Sequence, residues 1–120
     1  MKRINFLFVI VILLSSCATI SLYQALAPNR KNLDKLAIGM SQEEVLKVMG
    51  TTPITFSAMT INNPYRRTTL RGTNKTYEII YYVTSVVVDD NIIDENELTP
   101  LVFSGGKLVG WGWGFVENLR

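Results

Sequence analysis

The segment GMSQEEVLKVMGTTP, residues Gly39–Pro53, carries the clearest secondary-structure signal in the 120-residue chain. Ser41 and Glu44 stand three residues apart, as in a capping box, where each side chain accepts a hydrogen bond from the other residue's backbone amide. Apolar residues then recur on one side of two helical turns, and a glycine and a proline follow, which are residues that end helices. The segment predicts a short helix over Gln42–Met49.

A shorter helical signal lies immediately upstream. Asn32 is a candidate cap, and Leu33 and Leu36 fall on one helical face before Gly39. Residues 17–31 contain polar side chains and a proline without a sustained apolar period. They predict a flexible tether, which leaves residues 32–120 as a single domain.

The chain downstream of the helix is rich in β-branched and aromatic residues, which favour strands. Pro100 lacks an amide donor, which places its strand at a sheet edge or at a bulge. Residues 54–61 alternate weakly and allow two interpretations, a strand or an irregular cover. The remaining pattern predicts α+β architecture, with two short N-terminal helices packed on a small antiparallel sheet of three to four strands. The predicted strands are residues 65–71, 76–85, 98–103 and 107–113.

The motif GWGWGF ends the last predicted strand. Strand alternation places Trp111, Trp113 and Phe115 on one face and three glycines on the other. Each glycine weakens a strand by roughly 0.5–1 kcal/mol relative to alanine, so we expect another part of the protein or a partner to approach the glycine face closely. Two interpretations of the aromatic face remain open, a core under the helices or a half-exposed platform that binds a protein or a glycan.

The amino-terminal residues have the order of a bacterial export signal, with two basic residues, the apolar run Phe6–Leu14 and then small residues. The run is shorter than the about 20 residues that a membrane-spanning helix needs. Residues 1–16 are therefore predicted to be a cleaved signal peptide. Leu14, Ser15, Ser16 and Cys17 resemble the lipobox of bacterial lipoproteins, which implies a diacylglycerol thioether and an N-acyl chain such as palmitate on Cys17. Two or more acyl chains attach a protein stably to a membrane.

The residues after Cys17 are alanine and threonine, not the aspartate that retains enteric-type lipoproteins in the inner membrane. The resemblance therefore implies the periplasmic face of the outer membrane. Removal of residues 1–16 from 120 leaves 104 residues, in which ten basic side chains balance ten acidic ones. This balance argues against a nucleic-acid partner.

The composition also restricts chemistry, because the chain has no histidine and its single cysteine is the predicted lipid site. The usual general base, thiol nucleophile and zinc ligands are therefore missing. We expect a protein that is not an enzyme, with no cofactor, no metal and no small-molecule substrate. The acidic run Asp89–Glu97 could offer oxygen ligands to calcium, but it lacks EF-hand spacing, and a solvated loop is the prediction.

Basic residues cluster before the acidic run, at Arg66, Arg67, Arg71 and Lys75. Two interpretations are open for these opposite charges. They are solvated side chains that meet across a sheet, or they are surfaces that dock a partner or lipid headgroups.

The helical region resembles the SmpA/OmlA family of small outer-membrane lipoproteins, also called BamE-like. The similarity rests on Ile-Gly-Met-Ser at 38–41, Glu-Val at 44–45 and Met-Gly-Thr at 49–51. It implies two helices packed on an antiparallel sheet, a layout shared with the β-lactamase-inhibitor-protein fold.

The expected function is protein binding by a lipid-anchored envelope protein, as an accessory or scaffold in outer-membrane assembly or envelope maintenance. The alternative is a periplasmic inhibitor or ligand-binding module, including one for peptidoglycan, that uses the aromatic sheet face. The candidate contact residues are Trp111, Trp113, Phe115, Arg66 and Arg67.

Overall fold

The computed structural model describes residues 20–88 and 90–120. The predicted signal peptide and the lipobox, Leu14 to Cys17, lie outside these residues. In the described part, no helix has the length and apolar character to cross a bilayer. The helices are α1 (Leu22–Ala25), α2 (Ala27–Leu33), α3 (Gln42–Met49) and α4 (Trp113–Glu117), with a 3₁₀ turn at Glu95–Glu97. The strands are β1 (Ile54–Phe56), β2 (Met59–Ile61), β3 (Arg66–Arg71), β4 (Thr76–Val83), β5 (Leu98–Ser104) and β6 (Lys107–Trp111).

The strands form two antiparallel sheets. β1 and β2 make a two-stranded hairpin, and the other four pair in the order β3-β4-β5-β6. The predicted α+β class with an antiparallel sheet is confirmed. The helices are distributed differently from the prediction, because three precede the first strand and one follows the last.

The four-stranded sheet is covered on both faces. Ile79, Tyr81 and Val83 of β4 join a core with α1, the β1-β2 hairpin and α4 on what we call the hairpin face. The alternate residues Ile80 and Tyr82 join a second core with α3 and the end of α2 on the α3 face. Successive strand residues point to opposite faces, which explains why β4 is apolar at nearly every position of its second half.

Helix α3 forms as the capping-box pattern predicts. The Ser41 hydroxyl accepts from the Glu44 amide at 3.1 Å, and the Glu44 carboxylate accepts from the Ser41 amide at 3.3 Å. Val45 and Met49 are buried on the inner side of the helix. Gly50 has a φ of 87°, a backbone conformation that glycine adopts without steric cost.

The chain from Leu22 onward is part of the domain, which corrects the prediction of a flexible tether over residues 17–31. Leu26 is fully buried, and the Asn29 side-chain amide donates to the Val83 carbonyl at 2.9 Å. The helix expected to begin near Asn32 instead begins at Ala27 and ends at Leu33. Pro28 in the first turn is compatible with a helix because the amide that it lacks has no helical partner there. Helices this short, with a buried asparagine, show no apolar period in the sequence.

The last predicted strand also needs correction, because β6 ends at Trp111 and not at Trp113. Gly112 has a φ of 95° and turns the chain into α4. GWGWGF therefore spans a strand end, a turn and a helix start.

Pro100 lies in β5, which is a central strand and not an edge. It pairs with Tyr81 of β4, and its carbonyl accepts from the Gly112 amide beyond the end of β6. The backbone of an antiparallel residue points its amide and carbonyl to the same neighbour. The missing amide thus faces a position where β6 has already ended, which is why proline is tolerated there.

Candidate functional site

The three aromatic residues of GWGWGF do not all share one face, which overturns the predicted aromatic face of the last strand. The β5-β6 ladder shifts register between Val102 and Phe103, which leaves Val109 unpaired as a β-bulge. A bulge interrupts strand alternation, so Val109 packs on the hairpin face and Trp111 packs on the α3 face. Trp113 lies in α4 on the hairpin face, and both tryptophans are half-buried.

One expectation about the glycine face holds at Gly110. A Cβ atom at this position would lie 2.6 Å from ring carbons of Phe115. The body that approaches the strand is therefore the aromatic ring of the next helix. Phe115 is held by this internal contact and packs against the hairpin-face core.

The structure brings Arg66 together with Trp113 through two residues that the sequence did not single out. Both terminal nitrogens of the Arg66 guanidinium donate hydrogen bonds to the Glu95 carboxylate, with nitrogen–oxygen distances of 2.5 and 3.0 Å. Its central carbon lies 4.3 Å from the centroid of the Tyr81 ring. A cation over an aromatic face is attracted by the ring quadrupole. We call Arg66, Glu95, Tyr81 and Trp113 the cation–aromatic stack.

Tyr81 and Trp113 complete the cation–aromatic stack. Their ring centroids are 5.9 Å apart with a tilt of 40°, a spacing typical of favourable aromatic pairs. The Trp113 indole donates to the Leu98 carbonyl at 2.9 Å, and the Tyr81 hydroxyl lies 2.9 Å from the Thr68 hydroxyl. Trp113 also lines a shallow, mostly apolar groove beside Glu95 and Asn96. Of the two fixed rings, Trp113 borders the groove, whereas Tyr81 is buried behind it.

The charges of the cation–aromatic stack stabilise each other. The hydrogen bond to Arg66 lowers the pKa of Glu95, and the reciprocal hydrogen bond raises the pKa of Arg66 above its usual range. The Arg66 Nε atom is buried and has no hydrogen-bond acceptor among the described residues. Because both side chains remain partly exposed, their ion pair orients the guanidinium more than it stabilises the fold.

The candidate contact residues Arg66 and Arg67 lie on opposite faces of the sheet, so their side chains do not share a surface. Arg67 pairs with Ile80 and points to the α3 face. Burial raises the pKa of Tyr82 to about 12, an effect that the Arg67 charge partly opposes from the same face. Adjacent residues of a regular strand point to opposite faces, and the pairing of Arg67 with Ile80 places Arg67 on the α3 face.

The acidic segment meets the basic one through Arg66 and Glu95, as one of the two interpretations expected. Glu97, however, is not solvated, because this residue is only 1% exposed. Its carboxylate accepts hydrogen bonds from the backbone amides of Asp94 at 2.7 Å and Val87 at 2.9 Å. The three-residue spacing from Asp94 to Glu97 matches a capping box, and this spacing was the sequence signal for the role of Glu97. In the described residues, no three acidic, histidine or cysteine side chains group together as metal ligands.

Tyr81 and Glu95 were missed by sequence reasoning for different reasons. Tyr81 stands in an apolar run, where strand alternation marks it only as a core residue. Glu95 is one of several neighbouring acids, and only the fold selects it as the partner of Arg66. The predicted lipobox, Leu14 to Cys17, lies outside the described residues.

The profile of a family described as "Protein of unknown function (DUF3192)" matches residues 23–117. The chain belongs to the DUF3192 family. The matched region contains β3 to β6, most of both core clusters and every member of the cation–aromatic stack. No curated protein and no solved structure matches the chain. For this DUF3192 protein, functional inference therefore rests on its own residues.

Proposed function

We propose that the protein is a lipid-anchored component of the bacterial envelope that acts by binding another protein, as an accessory or scaffold in outer-membrane assembly or envelope maintenance. The cation–aromatic stack is the observation that carries the binding proposal. It joins an arginine, through a buried tyrosine ring, to a tryptophan that lines an apolar groove. These three residue types dominate the energetic centres of protein interfaces.

The cation–aromatic stack is also pre-organised. Arg66 is oriented by Glu95 and by the Tyr81 ring, while the Trp113 indole is tied to the Leu98 carbonyl. Binding costs about 0.5–1.5 kcal/mol for each rotamer-rich side chain that it immobilises. Side chains that are already ordered avoid much of this cost, which favours a role in contact over a purely structural one.

The envelope part of the proposal rests on the sequence. The leader and the lipobox ending at Cys17 support export and lipid attachment, and the packing of α2 and α3 on one sheet face supports the SmpA/OmlA-like arrangement. The alternative that uses an aromatic sheet face, for an enzyme or for peptidoglycan, has weaker support. It requires Trp111 and Trp113 on one surface, whereas they lie on opposite faces.

Site-specific photo-crosslinking in intact cells tests the binding surface. A photoreactive residue at Asn96 lies beside the groove, and the same residue at Asn74 is a matched control in the exposed β3-β4 turn at the other end of β4. Barrel-assembly components captured from Asn96 but not from Asn74 would support the proposal. A single soluble periplasmic enzyme would favour the inhibitor alternative, and equal capture at both positions would refute the groove as the binding site.

The lipid anchor has its own test. Mass spectrometry of the purified protein is expected to find a mature amino terminus at Cys17 carrying the mass of a diacylglycerol and an acyl chain. Cys17→Ser is expected to leave the export signal uncleaved at this position and the chain without lipid. An unmodified Cys17 in the wild-type protein would refute lipid anchoring without affecting the crosslinking result.

A further inference from the structure

Strand β3 is an edge of the four-stranded sheet, and within the described part of the chain no strand pairs with its outer side. The opposite edge differs, because β6 is bridged by the segment before α3, where Gly39 and Leu108 share a 2.8 Å backbone hydrogen bond. An open edge strand is a template for the addition of another strand.

The direction of each backbone group of β3 follows from the hairpin. The Gly72 amide donates to the Lys75 carbonyl at 2.8 Å, so Gly72 points toward β4. In an antiparallel strand, the backbone groups of successive residues point alternately toward and away from the partner strand. The register from Arg66 to Arg71 is regular, so this alternation is unbroken along β3. The amides and carbonyls of Arg67, Thr69 and Arg71 therefore point outward, away from β4.

The side chains of these three residues share one face. Their cross-strand partners Ile80, Glu78 and Thr76 place them on the α3 face. All three are exposed, and a shallow cleft of about 200 Å³ runs beside Arg67 and Thr69. The outer edge thus offers three pairs of backbone hydrogen-bonding groups, with a positive charge at each end and a neutral threonine between them.

We propose that the β3 edge binds an extended acidic segment of another protein by strand addition. In an antiparallel pair, residues directly opposite each other lie on the same face with Cβ atoms about 4.5–5.5 Å apart. The segment would carry carboxylates at positions i and i+4, opposite Arg71 and Arg67. Opposite Thr69 it would carry a neutral residue, because Glu78 lies across the strand from that position. This surface is separate from the cation–aromatic stack and does not depend on the lipid anchor.

A second copy of the chain fits this edge less well. In a two-fold antiparallel pairing that uses all three outward residues, Thr69 opposes its own copy and Arg67 opposes Arg71 twice. Like charges directly opposite each other destabilise a sheet. The arginines thus disfavour self-association through β3 while they favour an acidic strand.

Peptide binding to the full-length protein in mild detergent tests the proposal. The probe is a fluorescently labelled heptapeptide, Thr-Glu-Val-Thr-Val-Glu-Thr, with blocked ends. Its matched control carries lysine in place of both glutamates. We expect the glutamate peptide to bind at least tenfold more tightly than the lysine peptide, with a difference that shrinks as salt screens the charges. Equal affinities would overturn the proposal.

Charge reversal locates the contact on the protein. Arg67→Glu combined with Arg71→Glu is expected to weaken the glutamate peptide at least tenfold and to strengthen the lysine peptide. Lys47→Glu combined with Lys107→Glu makes the same change in net charge at exposed positions away from this edge. An equal loss with that control variant would show non-specific attraction and would overturn the site.

Backbone methylation separates strand addition from simple charge attraction. In the bound peptide, the amide of the central threonine would face β3, and a methyl group on it removes that hydrogen-bond donor. The amide of the preceding valine would face away from β3, so a methyl group there removes no donor to β3. We expect only the first peptide to lose at least tenfold in affinity. If neither methylated peptide loses affinity, strand addition is overturned. Crosslinking from Asn96 that is retained in that case would leave the proposed function standing.

Discussion

The close contact between Gly110 and Phe115 makes a quantitative prediction about the carboxyl-terminal helix. In Gly110→Ala, the new Cβ atom would lie 2.6 Å from the Phe115 ring, closer than side chains pack. Either the ring moves out of the hairpin-face core or β6 shifts. Overpacking of this kind lowers the free energy of unfolding by about 1–3 kcal/mol. For a domain of this size, each kcal/mol corresponds to a change of about 4–8 °C in Tm.

A double-mutant cycle isolates the cause. In a Phe115→Ala background, Gly110→Ala is expected to be neutral or to stabilise the strand by about 0.5–1 kcal/mol, because alanine costs less backbone entropy than glycine. The coupling energy between the two sites is the difference between these effects and should therefore reach about 1–4 kcal/mol. Equilibrium urea unfolding, followed by the fluorescence of Trp111 and Trp113, measures all four proteins. The same destabilisation by Gly110→Ala in both backgrounds would refute the contact.

Three further predictions concern polar groups. Glu97→Ala removes a buried carboxylate that accepts hydrogen bonds from two partly buried backbone amides, and it should lower the free energy of unfolding by about 1–3 kcal/mol. A change of less than about 0.5 kcal/mol in urea unfolding would contradict this role. Ser41→Ala removes the cap of α3 and should lower the free energy of unfolding by about 0.5–2 kcal/mol. Ser104→Ala, at a half-buried position at the end of β5, is the control for loss of a hydroxyl. Arg66 lowers the pKa of Glu95 through their hydrogen bond. The small contribution of this ion pair to the free energy of unfolding is therefore present above the normal carboxyl pKa of 4.5, and it is lost as the pH falls through the lowered pKa. The Tm difference between wild type and Glu95→Gln should therefore narrow on acidification, and a gap that widens would contradict the ion pair.

Local sequence signals predicted the elements whose conformation depends on neighbouring residues. The limits of α3 follow from the capping box at Ser41, and the start of β4 at Thr76 follows from the turn glycine and the aromatic run. Capping and turn formation involve residues three or four apart. Their energies therefore act within the segment where the pattern is visible.

The departures arise where distant segments meet. The bulge at Val109 depends on how β6 pairs with β5, and the α4 start at Trp113 depends on the turn at Gly112 and on ring packing over Gly110. Alternation alone extends the strand through GWGWGF because it contains no information about the partner strand. Helix α1 was missed and α2 was predicted too late in the chain for a related reason. Short helices owe most of their stability to packing, here of Leu22 and Leu26 in the hairpin-face core, and this packing leaves no apolar period in the sequence.

The residues of the chain alone determine an α+β domain, the position of α3 and the order of the main strands along the chain, and they predict an export signal that ends in a lipobox-like cysteine. These properties depend on periodicity, capping and short motifs, which are local. The cation–aromatic stack, the separation of the two tryptophans and the outward backbone groups of β3 come from strand register and from packing on two faces of one sheet. Register joins residues that are far apart in the chain, so the chemistry of both proposed binding surfaces becomes visible only in the folded protein.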